Sequence, residues 1–157
     1  MRELRDGQED KRQMAIPEKI KRLVEGHGWL KCLAVRDIME PRVITIGEEA
    51  TLRELDALIQ QYQHQGYPVV NEEAKVTGVI SYKDLIRVEK ASWDTIRVKD
   101  RMSTRLVCAS PDECVIDAIE RMTKAGVGRL LVMEGDQLVG IISRSCIMDK
   151  VIKRMVT

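Results

Sequence analysis

The chain has 157 residues, 44% of them apolar, and carries 26 Lys and Arg against 25 Asp and Glu. That is enough for one domain or two small fused units with a core, and the near balance of charge gives no global field aimed at nucleic acid or anionic lipid. No apolar run approaches the ~20 residues that span a bilayer and the charged residues 1–6 do not read as a signal peptide, so the expected compartment is the cytoplasm, with no membrane partner.

Residues 1 to about 13 are mixed-charge with little to bury and are expected to be a mobile tail. From Pro17, suited to a first helical turn, Ile20, Leu23, Val24 and His27 fall on one face of a short amphipathic helix that Gly26 and Gly28 end. Residues 1–34 are therefore read as tail plus helix, and His27 as a packed or partly exposed histidine and not a ligand, since no partner ligand sits nearby in sequence. The four cysteines, Cys32, Cys108, Cys114 and Cys146, form no C-x-x-C pair, so reduced thiols are expected and neither a zinc site nor a disulfide framework.

The chain then repeats itself. Val35-Arg-Asp-Ile-Met39 is echoed by Val98-Lys-Asp-Arg-Met102, with Asp37 matching Asp100 and Met39 matching Met102 at an offset of 63. Thr51 to Glu54 is a capping box opening a helix with Leu52, Leu55, Ile59 and Tyr62 inward. Ser110 to Glu113 is read as a second such box, before a helix with Val115, Ala118, Ile119 and Met122 inward, and both helices are read as ending at glycine. Gly66 to Val70 matches Gly128 to Val132, and Gly78 to Ser81 matches Gly140 to Ser143, at an offset of 62, which places a one-residue difference between helix and strand. Each copy thus reads as strand, helix, two strands around a polar turn (Asn71 to Lys75; Glu134 to Gln137) and a closing helix. The predicted boundaries are 35–90 for the first copy, 91–97 for a linker with Trp93 in a packing role, and 98–157 for the second copy with its C-terminal helix. Neither copy can bury both faces of its sheet alone; two can, sheet against sheet about a pseudo-two-fold, with helices outside, in a mixed α/β (α+β) fold. The closing helix spreads Ile147, Met148, Val151, Ile152 and Met155 around itself, which asks for cover from a second subunit.

Gly78-Val-Ile-Ser81-Tyr-Lys-Asp84 carries the chemistry. Serine at N-cap with an acid at N3 is a capping box, in which each side chain satisfies a backbone N–H that the helix start leaves orphaned. The same atoms admit a second reading: a bare Gly78 lets a ligand approach the strand, and a hydroxyl and carboxylate beside free N–H groups could grip a sugar diol and its phosphate. Both readings stand at the level of sequence.

The order R-D-I-M, V-I-T-I, capped helix, G-Y-P-V-V, G-V-I-S-x-x-D-L, repeated once, resembles a tandem pair of CBS domains, the Bateman module of the cystathionine β-synthase domain family, over about Val35 to Met148. The resemblance implies a βαββα fold per repeat, disc-shaped homodimers, a role in energy sensing, and adenosine ligands (AMP, ADP, ATP or S-adenosylmethionine) as regulators in clefts between repeats. No catalytic domain accompanies the pair, so it reads as a stand-alone regulatory module, not an enzyme, signalling to an unidentified protein, with no catalytic cofactor or metal. Two alternatives stay open: a nucleic-acid role through Lys19, Lys21, Arg22, Arg144, Lys150, Lys153 and Arg154, and a purely structural dimerisation module with empty clefts.

Carried over by the same resemblance, Gly78, Ile80, Ser81 and Asp84 supply one side of a first cleft, Asp84 accepting both ribose hydroxyls and Ser81 holding sugar or phosphate. Backbone around Cys108 and Ala109 frames the adenine, and Arg129 takes a phosphate. The second cleft would use Thr45, Tyr67, Ser143 and Cys146. There Cys146 replaces the aspartate, Tyr67 replaces the arginine-like position, and the thiol is either a passive small residue or a nucleophile activated at a helix N-terminus.

Overall fold

The structure, a computed structural model, describes residue 22 and residues 33–156. Arg22 is helical and exposed. The rest of the expected N-terminal tail and helix, with His27 and Cys32, and the side chains of Ile152 and Met155 lie outside the described residues.

The described elements are α1 (Val35–Ile38), β1 (Ile46–Gly47), α2 (Leu52–Tyr62), β2 (Gly66–Val70), β3 (Val76–Ser81), α3 (Tyr82–Ile86), β4 (Cys108–Ala109), α4 (Val115–Ala125), β5 (Arg129–Glu134), β6 (Gln137–Ser143) and α5 (Arg144–Val156). They form two three-stranded sheets, β1-β2-β3 and β4-β5-β6. In each, the short first strand runs parallel to the second and the third is antiparallel to it. This is the predicted strand, helix, hairpin, helix order, twice.

The compact units are not the sequence repeats. One unit is Arg42–Leu106; the other combines residues up to Pro41 with Val107 onward. Each repeat's leading segment is therefore packed in the unit that holds the other repeat's sheet. In the first unit Val98 N donates to Ala50 O (2.8 Å), Lys99 N to Glu48 O (3.0 Å), and Val79 and Ser103 exchange both backbone hydrogen bonds at 2.9 Å. In the second, Val35 N donates to Glu113 O (2.9 Å), Arg36 N to Pro111 O (3.0 Å), and Glu40 and Ile141 exchange bonds at 2.8 and 3.0 Å. Asp37 and Asp100, matched in sequence, do the same local work, each accepting from the backbone N–H three residues before it (Ala34, 3.1 Å; Arg97, 3.2 Å).

The core of the first unit is built on Leu52, Leu55, Tyr67, Val69, Ile80, Leu85 and Val98, and that of the second on Val35, Ile38, Ala118, Met122, Leu130, Val132, Ile142 and Ile147. Trp93 closes the first core, its indole N–H donating to Val88 O (2.9 Å) while Arg53 stacks 5.3 Å from the ring centre. Residues 91–97 are thus part of a unit, with Trp93 O and Ile96 O accepting from the first amides of α2.

Three local expectations are corrected. The Thr51–Glu54 box forms, with bonds of 3.0 and 3.2 Å, but Ser110 opens only a turn and α4 begins at Val115 behind Cys114. The turn and the start of α4 are bonded to the leading segment through the Cys114–Ala34 bridge, Val115 N donating to Leu33 O, just as Leu52 N donates to Ile96 O; Thr51 therefore corresponds to Cys114, which offers no oxygen cap. Helix α2 ends not at glycine but at Gln63, in the left-handed region with φ 59°, whereas α4 ends at Gly126 as expected. The inward stripe of α2 runs out at its last turn, with Tyr62 39% exposed beside His64.

A Cβ on Gly78 would stand 2.6 Å from Met102 Sδ and 2.7 Å from Ser103 O; on Gly140 it would stand 2.7 Å from Met39 Sδ and 3.1 Å from Glu40 O. We therefore expect Gly78→Ala to destabilise the chain by about 1–3 kcal/mol, and Gly140→Ala by less, because the backbone carbonyl must retreat farther at Gly78. Urea unfolding of both variants checks this, and a neutral Gly78→Ala would contradict the packing.

Candidate functional site

Strand β3 delivers Ser81 to the start of α3, and the capping box predicted there forms. Asp84 N donates to Ser81 Oγ (3.3 Å), while Asp84 Oδ2 accepts from Ser81 N (2.9 Å) and from Ser81 Oγ (3.0 Å). Asp84 Oδ1 has no hydrogen-bond partner among the described residues, and both side chains are half-buried. The carboxylate thus caps the helix with one oxygen and presents the other, with its two lone pairs, to an incoming donor.

Two neighbours have structural duties. The face of Gly78 is covered by Met102 and the Ser103 carbonyl, so its missing side chain makes room for the chain itself and not for a ligand. Ile80 is 1% exposed, its side chain packed in the first core opposite Tyr67.

The second unit holds the equivalent corner. Ser143 N donates to Cys146 Sγ (3.1 Å), Cys146 N donates to Ser143 Oγ (3.1 Å), and the thiol donates to Ser143 O (3.3 Å). Cys146 is therefore a sulfur version of the capping acid, half-buried and bonded, with no charge to offer a diol. Arg129 opens β5 directly across from Ser143. Thr45 is exposed just before β1.

Tyr67 does not belong to a site. It is 1% exposed, and its hydroxyl accepts from His64 N (3.1 Å) and donates to Leu58 O (3.5 Å). Register explains the error. Val69 pairs with Ile46 as Val132 pairs with Ala109, so the offset of 63 runs through β2 and β5; the residue is lost in the hairpin, where Val70 faces Val76 but Met133 faces Leu138. The counterpart of Arg129 is thus Gly66, and that of Tyr67 is buried Leu130. The longer first turn is held by Asn71 Oδ1, which accepts from Glu73 N and Lys75 N at 3.0 Å, and the shorter one by Gly135 at φ 62°.

Strand β4 has company that sequence reading missed. The Cys108 carbonyl accepts from Arg121 Nη1 (2.8 Å), and the same guanidinium forks onto Glu113 at 2.6 and 2.9 Å. Glu113 holds the Arg121 pKa above its ordinary value, and burial pushes the Cys108 thiol up against the opposing pull of Arg121. A raised thiol is a protonated, weak nucleophile at neutral pH. Ala109 is buried. The signal for the clasp was the spacing of an acid and a basic residue across one helix start, which does not by itself say that they meet.

The sequence model of the CBS domain matches residues 35–91 and 98–153. The chain belongs to the CBS domain family. A relative, an uncharacterised protein of Methanocaldococcus jannaschii, is 36% identical over 110 residues, covering 69% of this chain and 39% of that protein. This chain spans only 25% to 39% of the length of the first curated relatives it matches. Among solved CBS structures, that of a bacterial CNNM/CorC family Mg2+ transporter in complex with ATP has a TM-score of 0.74 at 19% identity, covering 85% of this chain and 97% of that one. A CBS domain pair in complex with 5′-methylthioadenosine and S-adenosyl-L-methionine gives 0.69 at 20% identity, covering 78% of this chain and 98% of that one, and CBSX2 in complex with AMP gives 0.68 at 21%, covering 78% and 98%. At these identities the likeness establishes the CBS fold. Among the described residues no helix is long and apolar enough to cross a membrane, and no cluster of His, Cys, Asp and Glu could hold a metal ion.

The register argument predicts that Tyr67→Phe costs about 1 kcal/mol of stability, from the lost hydroxyl bonds, without altering the affinity for any ligand of this CBS pair. Thermal melts with and without adenine nucleotides test it; a specific loss of ligand affinity would return Tyr67 to the site.

Proposed function

We propose that this CBS pair is a regulatory module that binds one adenosine-containing ligand per subunit, AMP, ADP, ATP or S-adenosylmethionine, and signals its occupancy to a partner protein in the cytoplasm. The observation that carries this reading is the unpartnered Asp84 Oδ1 at a corner whose counterpart has a thiol. A carboxylate oxygen with two open lone pairs suits the vicinal hydroxyls of ribose; a thiol does not. Ser81, bonded to the same carboxylate, is the adjoining contact. Support comes from the fold likeness to proteins solved with ATP, AMP and S-adenosyl-L-methionine. The module acts as a homodimer on this reading, since Tyr62, Tyr82 and Ile86 in the first unit are large and exposed. Light scattering that returned a monomer mass at micromolar concentration would remove the dimer.

Calorimetry with AMP, ATP and S-adenosylmethionine should give a stoichiometry of one per chain. Asp84→Ala should weaken binding roughly ten- to hundredfold, the equivalent of about 1.5–3 kcal/mol for hydrogen bonds to a charged group, and lower stability by about 1 kcal/mol for the lost cap. Binding indifferent to Asp84, or two ligands per chain, would overturn the assignment.

A further inference from the structure

We propose that the outer face of helix α3 is the docking surface for an acidic amphipathic helix of the regulated protein; this rests on the partner signalling proposed above. Helix α3 is five residues long and lies within the first unit. Tyr82 and Ile86, four residues apart and so neighbours on one side of it, are 49% and 56% exposed. Arg87, the C-cap, keeps right-handed helical geometry (φ −76°, ψ −10°), so Lys83 and Arg87 form a second stripe alongside the first. Both cations are exposed, and neither has an ion pair or a side-chain hydrogen bond among the described residues. By contrast Arg53 is paired with Asp94, Lys99 with Glu49 and Arg121 with Glu113. Beyond the helix Glu89 is exposed, and Lys90 lies over the Trp93 ring, 5.9 Å from its centre.

The fold does not require these stripes. At the offset of 62 that relates Ser81 to Ser143, the corresponding residues of α5 are Arg144, Ser145, Met148 and Asp149. Met148 packs against the second core and Asp149 is paired with Lys153 (3.2 Å), so α5 keeps its apolar residue covered and its charge matched. An unpaired cationic stripe beside an apolar one defines the chemistry of the occupant: apolar side chains one helical turn apart, flanked by Asp or Glu at the same spacing. A second copy seated on α3 alone would set Lys83 and Arg87 within about 10 Å of their own copies, because the helix is only about 7.5 Å long, and like charges repel over that range at ordinary salt. Tyr62, on α2, differs: it stands in a run, Gln60 to Gln65, with no Asp, Glu, Lys or Arg, and meets its own copy without that cost. The five residues of α3 also include Asp84, so a docked segment bears on the helix that presents the ligand's acceptor.

The test uses the full chain and two labelled helical peptides, one with Leu and Glu repeating at i, i+4 and one with Leu and Lys in the same places. Fluorescence anisotropy at low salt should show the Glu peptide bound about tenfold tighter than the Lys peptide, with that preference lost at about 1 M salt. Lys83→Gln combined with Arg87→Gln, and separately Ile86→Ser, should each weaken the Glu peptide by about fivefold while leaving AMP affinity within about twofold and the mass by light scattering unchanged. All three side chains are exposed, so the variants keep the fold. Equal affinity for the two peptides, or a Glu-peptide affinity indifferent to these substitutions, overturns the docking surface and leaves the adenosine site standing. A mass that falls to the monomer in either variant assigns α3 to the second copy and overturns it as well. Charge-selective peptide binding by a chain that binds no adenosine ligand keeps the surface and removes the function proposed above.

Discussion

The structure depends on a close approach between a methionine and a bare glycine. Glycine weakens a strand by its backbone freedom, and each third strand carries one in its middle. The absence of a Cβ there lets Met102 and the Ser103 carbonyl lie against β3, and Met39 and the Glu40 carbonyl lie against β6. With the segment that close, Val79 and Ser103 in one unit, and Glu40 and Ile141 in the other, exchange both backbone hydrogen bonds. The third strand is thereby paired on both sides, and its last residue, Ser81 or Ser143, is held at the start of the following helix.

That arrangement repeats, and the chemistry placed on it does not. Asp84 stands where Cys146 does, Gly66 where Arg129 does, and Leu58 with Ala50 where Arg121 does with Glu113. One corner carries an acceptor charge; the other unit carries a cation beside its serine and a fixed carbonyl on its edge strand. Duplication supplies two copies of a frame, and substitution at these four positions makes the two corners chemically different.

The capping and ligand readings of Ser81 and Asp84 turn out to be compatible. A carboxylate has two oxygens, and the helix start uses Oδ2 for both the serine amide and the serine hydroxyl. The bonds that hold the side chain in one rotamer leave Oδ1 in a fixed place, so the cap preorganises the acceptor at little further entropic cost.

Sequence alone determined the duplication, the order strand, helix, hairpin, helix, the capping boxes at Thr51 and Ser81, and the family, because these rest on local periodicity and on residues three or four apart. It also singled out Asp84 and Cys146 as the difference between the halves. Tertiary structure decided which sheet each leading segment joins, since a segment matched by pattern to its own repeat is free to pair with the other. It decided the strand register, and so removed Tyr67, because a hairpin one residue shorter hides the slip from an ungapped match of apolar runs. It replaced the Ser110 box with a turn, because pairing with residues 33–36 outcompetes a side-chain cap. Gly78, Ile80 and the Arg121–Glu113 clasp were beyond reach for one physical reason: what a side chain does depends on what the fold sets against it, and that neighbour is distant in sequence.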